Sequence, residues 1–225
     1  MHGRRLAIHA APLYAGSVSA TLDHLVWGSR DLDAAVDELE RRTGVRAASG
    51  GRHPDLGTHN ALARLGKRAF LEVLAPDPTL AAGALSRRLE AMAAPGLIMW
   101  AARTPDAAAT AERARTAGYT AAVIEGHRAR PDGSTARWTN VFVNGHGAGR
   151  LIPFFIEWHG AEHPADDAPA GLELETFALE TPHPEALRVV LDALDVRVRV
   201  RKGPADRLVA ELATPKGLVV LSGPD

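Results

Sequence analysis

The sequence predicts an α+β protein assembled from repeated βαβββ units, and three observations carry that expectation. The same order of strand-like and helix-like segments comes round three times after Ala20. The helical segments are amphipathic, with apolar residues at helical spacing on one face. An aromatic-aliphatic-acid triplet recurs in the last strand of the first two units, as Phe70-Leu71-Glu72 and Phe155-Ile156-Glu157.

Taken in order, residues 1–20 read as an N-terminal extension. Their basic start and small-residue end imitate a signal peptide, but His9 and Pro12 interrupt the apolar stretch. The first unit covers 21–78. In it TLDHLVWG alternates as a strand, Asp31 opens a helix with Leu32, Val36 and Leu39 on one face, and Gly44 closes it. Extended segments follow at 45–50, 58–65 and 68–75, the last two joined by a two-residue Gly66-Lys67 turn. A connecting helix lies within 79–95. The second unit, 96–160, opens with the strand LIMWAAR and a helix from Asp106 to Ala117 that stops at Gly118. Strands at 120–125, 136–143 and 151–158 complete it, with Arg130-Pro131-Asp132-Gly133 as a turn. Pro, Asp, Ala and Gly mark a boundary at 159–171. A third, shorter unit fills 171–222, with a helix at 184–194 and no ligand set of its own.

Composition narrows the function. The 225 residues are 46% apolar, enough for a real core. Lys plus Arg number 26 against 27 Asp plus Glu, so no charge excess argues for nucleic acid or an anionic membrane, and a small molecule is the expected partner. There is no cysteine, which removes disulfides, thiolate zinc sites and cysteine nucleophiles, so any metal site must be built from nitrogen and oxygen. No apolar stretch approaches the roughly 20 residues of a membrane span, and a cytoplasmic protein is expected.

Two βαβββ units that pair their sheets enclose a cup lined by inward-facing strand residues. Strand alternation puts His24 on one face with Leu22 and Val26 and turns Asp23 away; Glu72 shares a face with Phe70 and Leu74, and Glu157 stands beside Phe155. A two-residue Gly66-Lys67 hairpin sets Ala61 opposite Glu72 and brings His59 to the same face. Two carboxylates on apolar inner faces are costly and repel each other, and one divalent cation relieves both costs. The plainer alternative is a hydrogen-bonded core histidine and glutamates paired with arginine. His53, Asn60, Arg103, Arg137 and Trp138 are placed to line the mouth, where Arg binds a carboxylate and Trp covers an apolar part. The NGHGAGR stretch reads as a hairpin loop, and His159 and His163 as loop residues.

Together, LDHLVWGSRDLDAAVDEL, GGRHPDLGTHNAL, FLEVLAPDP, RPDGSTARW and LIPFFIEWHGAEHPA resemble the vicinal oxygen chelate superfamily, specifically its glyoxalase-like branch, over about residues 20 to 165. The resemblance implies a glyoxalase/bleomycin-resistance-like fold with an additional C-terminal unit. It also implies a metal held by one residue from the first and one from the fourth strand of each unit, which gives His24, Glu72 and Glu157, with Leu97 or Met99 at the remaining position and His59 as a further candidate. Such nitrogen and oxygen donors suit Zn, Mn, Fe, Co or Ni. The implied activity is that of a divalent-metal-dependent lyase, isomerase or dioxygenase acting on a small oxygenated metabolite. A metal-free protein of the same fold that binds or sequesters a small molecule is the alternative, and a homodimer formed through the third unit a further option.

Overall fold

The computed structural model describes residues 21–129, 135–160 and 163–223; the extension 1–20 and the turn expected at 130–133 lie outside the described residues. The first unit comprises β1 (Thr21–Gly28), α1 (Leu32–Thr43), β2 (Ala48–His53), β3 (Thr58–Leu65) and β4 (Ala69–Pro76), and a short α2 (Ala84–Glu90) connects it to the second. The second unit comprises β5 (Gly96–Arg103), α3 (Ala107–Thr116), β6 (Thr120–Ala129), β7 (Thr135–Asn144) and β8 (Phe154–His159). A one-turn α4 (Pro164–Asp167) then leads to β9 (Glu173–Thr181), α5 (Pro184–Ala193), β10 (Arg199–Lys202), β11 (Arg207–Thr214) and β12 (Gly217–Ser222). The first two units start their helices in the same way: Asp31 accepts from Ala34 N at 2.9 Å, and Asp106 accepts from Ala109 N at 2.8 Å.

The first two units form one eight-stranded sheet in the order β2-β3-β4-β1-β5-β8-β7-β6. Within each unit the first strand runs parallel to the fourth, and β1 joins β5 antiparallel at the centre. The sheet curls into a half-barrel, far enough for the edge strands β2 and β6 to touch. On its outer side Leu25, Trp27, Leu39, Leu71, Trp100 and Phe155 form a core that is continuous with Leu179, Leu191 and Leu208 of the third unit. Trp100 and Phe177 meet edge to face at 5.2 Å across that junction. The third unit has the expected element order, but its sheet runs β10-β9-β11-β12. Here the second strand, not the fourth, lies parallel beside the first. That unit therefore covers the outside of the half-barrel and leaves the concave side to the two repeats.

Three local departures from the sequence pattern have physical causes. The connecting helix starts only at Ala84, because Asp77 Oδ1 takes both the backbone N–H and the hydroxyl of Thr79 at 2.9 and 2.7 Å and holds a turn there. Pro153 separates a 3₁₀ turn at Gly149–Leu151 from β8, so the strand expected from 151 begins at Phe154. The β3-β4 hairpin turns through three residues, Gly66 to Arg68, with Leu65 paired to Ala69. Among the described residues no helix is long and apolar enough to cross a membrane.

Candidate functional site

The concave face is fixed by strand register. His24 pairs with Phe70 and Val26 with Glu72 between β1 and β4. His24 Nε2 and Glu72 Oε2 face each other there at 3.7 Å, beyond hydrogen-bond length. The three-residue hairpin pairs Leu62, not Ala61, with Glu72. One residue of slip turns every side chain of β3 over, so His59 faces away and Asn60 takes its place. Asn60 Nδ2 donates to Glu72 Oε1 at 2.6 Å.

Glu157 does not join this group. With the two units aligned on their helix N-caps, Met99 stands where the first unit has His24, and Ala101 where it has Val26. Ala101 pairs with Phe154 as Val26 pairs with Glu72, so Phe154 is the counterpart of Glu72. Glu157 lies an odd number of residues beyond Phe154, on the outer face with Phe155, where its Oε2 accepts from Ala107 N at 2.7 Å in the first turn of α3. The triplet repeats in sequence but not in register. Its carboxylate serves the positive end of a helix. Glu157→Ala is therefore expected to lower stability by about 1 kcal/mol in urea unfolding while leaving the concave face unchanged.

The largest departure concerns Asp23. A β-bulge lies between Leu22 and His24 in the pairing of β1 with β5. A bulge breaks alternation and re-aims a side chain. The Asp23 carboxylate, fully buried, thereby shares a cluster with His24 instead of turning away. Its Oδ1 accepts from His24 Nδ1 at 2.8 Å, and its Oδ2 accepts from Arg103 Nε at 2.8 Å and His163 Nε2 at 3.1 Å. Trp158 Nε1 donates to both oxygens at 3.2 to 3.3 Å. Burial alone raises its pKa, but hydrogen bonds from His163 and His24 outweigh it and hold the carboxyl well below the ordinary range. An ionised carboxylate only accepts, so His24 Nδ1 carries the hydrogen and Nε2 is the atom turned to Glu72.

His163, expected in a loop, caps α4 through its ring Nδ1, which accepts from Ala165 N at 3.2 Å, and its own N–H donates to Asp166. That turn seats Ala165 and Ala168 against Leu62 and Phe70. Phe70 stacks on the His24 ring at 4.5 Å and Phe154 approaches it edge-on at 5.3 Å. The His24 and Glu72 side chains are 5% and 12% exposed, so they are shielded by this packing. Of the residues expected at the mouth, Asn60, Arg103 and Trp138 lie on the concave side. His53 bonds Thr58 Oγ1 at 3.1 Å near the β2-β3 rim, and Arg137 pairs with His159 on the outer face. Sequence reasoning missed Asp23, Trp158 and His163 as members of the cluster. The adjacent Asp-His pair was visible, but a bulge leaves no mark in residue type.

The donor set decides whether a resident dication fits. His24 and Glu72 are two nitrogen and oxygen donors, while their counterparts Met99 and Phe154 offer none of that kind. Among the described residues no three His, Cys, Asp or Glu side chains converge as a metal set requires. Catalytic zinc is held by three protein ligands as a rule. The expected triad of His24, Glu72 and Glu157 is not assembled, and the residues present do not fit a metal held by both units.

A family model described as "Glyoxalase-like domain" matches residues 22–194. No curated protein matches the chain. Among solved structures, a hypothetical protein from Staphylococcus aureus is similar with a TM-score of 0.65 at 14% identity, over 83% of this chain and 87% of that one. A mutant of 4-hydroxymandelate synthase from Streptomyces coelicolor has a TM-score of 0.52 at 16% identity, over 92% of this chain and 63% of that one. Methylmalonyl-CoA epimerase from Mycobacterium tuberculosis has a TM-score of 0.48 at 23% identity, over 67% of this chain and 94% of that one. The first two likenesses show a shared fold.

Proposed function

Since the chain belongs to the glyoxalase-like domain family of the vicinal oxygen chelate superfamily, we propose that it moves a proton on a small oxygenated metabolite, with His24 and Glu72 as the acid-base pair. The observation that carries this is the chain of contacts Asp23–His24···Glu72–Asn60. Asp23 takes the Nδ1 hydrogen and so directs the basic Nε2 inward, and Asn60 fixes the carboxylate that faces it. A buried carboxylate behind an imidazole stabilises the imidazolium that forms when Nε2 accepts a proton.

A substrate that parts the two groups meets a base on one side and a carboxyl on the other. Removal of a proton from a carbon next to a carbonyl by His24, with delivery of Glu72's own proton to the other face of that carbon and restoration of both groups by proton exchange with solvent, is isomerase or epimerase chemistry. Loss of a β-leaving group after the same first step is lyase chemistry. Oxygen-dependent cleavage calls for an iron ligand set that these residues do not assemble.

The test is hydrogen exchange in D2O, followed by proton NMR, over a panel of α-hydroxy and α-keto acids with protein purified in chelator. Exchange that persists in chelator supports the proposal. Exchange that appears only when Zn, Mn, Fe, Co or Ni is added, or none under either condition, overturns it. Metal-free sequestration is the second reading, favoured by the half-buried aromatic wall of the second unit. Ligand binding that His24→Gln leaves intact, with no exchange in wild type, would select it.

A further inference from the structure

We propose that the second unit's half of the bowl is a recognition wall for a planar aromatic ring bearing a hydroxyl group, with Asn140 as the residue that reads the hydroxyl. This rests on the bowl being the ligand site, and it names the ligand class of that site.

The wall is built by alternation along β7 and β8. Trp138, Asn140 and Phe142 share the concave face of β7. Opposite them, Trp138 pairs with Trp158 and Asn140 with Ile156. The Trp138 and Trp158 rings lie 5.4 Å apart, and Phe142 and Phe154 stack at 5.4 Å with an interplanar angle of 23°. Asn140 therefore stands between two aromatic pairs. Gly126, directly across from Trp138 on β6, leaves room for the indole, since a Cβ there would meet the ring itself. Met99, Trp138, Asn140, Phe142, Phe154 and Trp158 are all half-buried. The wall is contiguous with the reactive pair, because Phe154 touches His24 and Trp158 bonds Asp23.

The amide of Asn140 is what makes this wall selective. Its Oδ1 is buried and has no hydrogen-bond partner among the described residues. Such an acceptor is unfavourable while it is left unsatisfied, so a donor that reaches it gains affinity. Its counterpart in the first unit is Asn60, aligned through Leu74 and Ile156, whose Oδ1 is likewise buried without a partner among the described residues but whose Nδ2 is held by Glu72. The second unit has Phe154 in place of that glutamate, so its amide has no such task. A ring laid against the aromatic pairs would bring a hydroxyl at its edge to Asn140, where it can donate to the amide oxygen and accept from the amide nitrogen.

The test compares 7-hydroxycoumarin with 7-methoxycoumarin by fluorescence anisotropy at mildly acidic pH, where the hydroxyl is neutral. The hydroxy probe is expected to bind about tenfold more tightly. Asn140→Leu should abolish that preference, and Phe142→Ala should weaken both probes alike, with circular dichroism and Asn140→Ser as checks on folding. Equal affinities in wild type, a preference that survives in Asn140→Leu, or binding of neither probe at millimolar concentration would overturn the proposal. Loss of probe discrimination with proton exchange intact sinks this inference alone. Discrimination without exchange sinks only the acid-base assignment.

Discussion

Asp23→Ala is expected to destabilise the fold by about 3–5 kcal/mol, the largest effect of any single substitution in the concave site. The carboxylate is fully buried and receives hydrogen bonds from His24, Arg103, His163 and Trp158. Its removal leaves the Arg103 guanidinium beside an apolar methyl and frees the turn that His163 anchors. The effect is read as the shift of the urea midpoint at neutral pH, and a loss under about 1 kcal/mol would mean that the cluster is not a structural unit. The sign of the pH dependence follows from the lowered pKa. A carboxyl whose folded pKa lies below its unfolded value stabilises fully above that unfolded value, about 3.9. The contribution is lost as pH falls below it toward the folded value. Wild type should therefore lose more stability than Asp23→Asn between pH 5 and pH 3.

That residue also shows where the sequence was legible and where it was not. The two helix N-caps, the strand segments and the order of elements in all three units follow from periodicity and capping, which are local properties. Register is not local. A hairpin of three residues rather than two exchanged His59 for Asn60 beside Glu72. A bulge brought Asp23 to the His24 side. The second triplet misled because Phe155-Ile156-Glu157 copies the residue types of Phe70-Leu71-Glu72 at an odd offset in the ladder, and an odd offset exchanges the faces of a sheet. Alignment on Asp31 and Asp106, both visible in the sequence, would have made Met99 the second unit's counterpart of His24. It could not have fixed the β8 register, which depends on the 3₁₀ turn and Pro153 before that strand. The third unit misled more gently, since residues alone gave its element order but not the pairing of β10 with β9.

His24→Gln is expected to reduce proton exchange by a factor of about 10²–10⁴, the usual contribution of a positioned general base. Asp23 keeps its donors Arg103, His163 and Trp158 in this variant, so the cluster that holds the fold persists and the loss reports chemistry rather than unfolding. Glu72→Gln should cost a comparable factor, because Asn60 still holds the side chain while its capacity to take and return a proton is gone. If His24 takes one proton and Glu72 delivers another within the same turnover, either loss stops the cycle, and the double variant should be little slower than the slower single one. Effects that multiply in kcat/KM would mean that each group acts on a separate step. A double variant with undiminished exchange would place the chemistry elsewhere on the concave face.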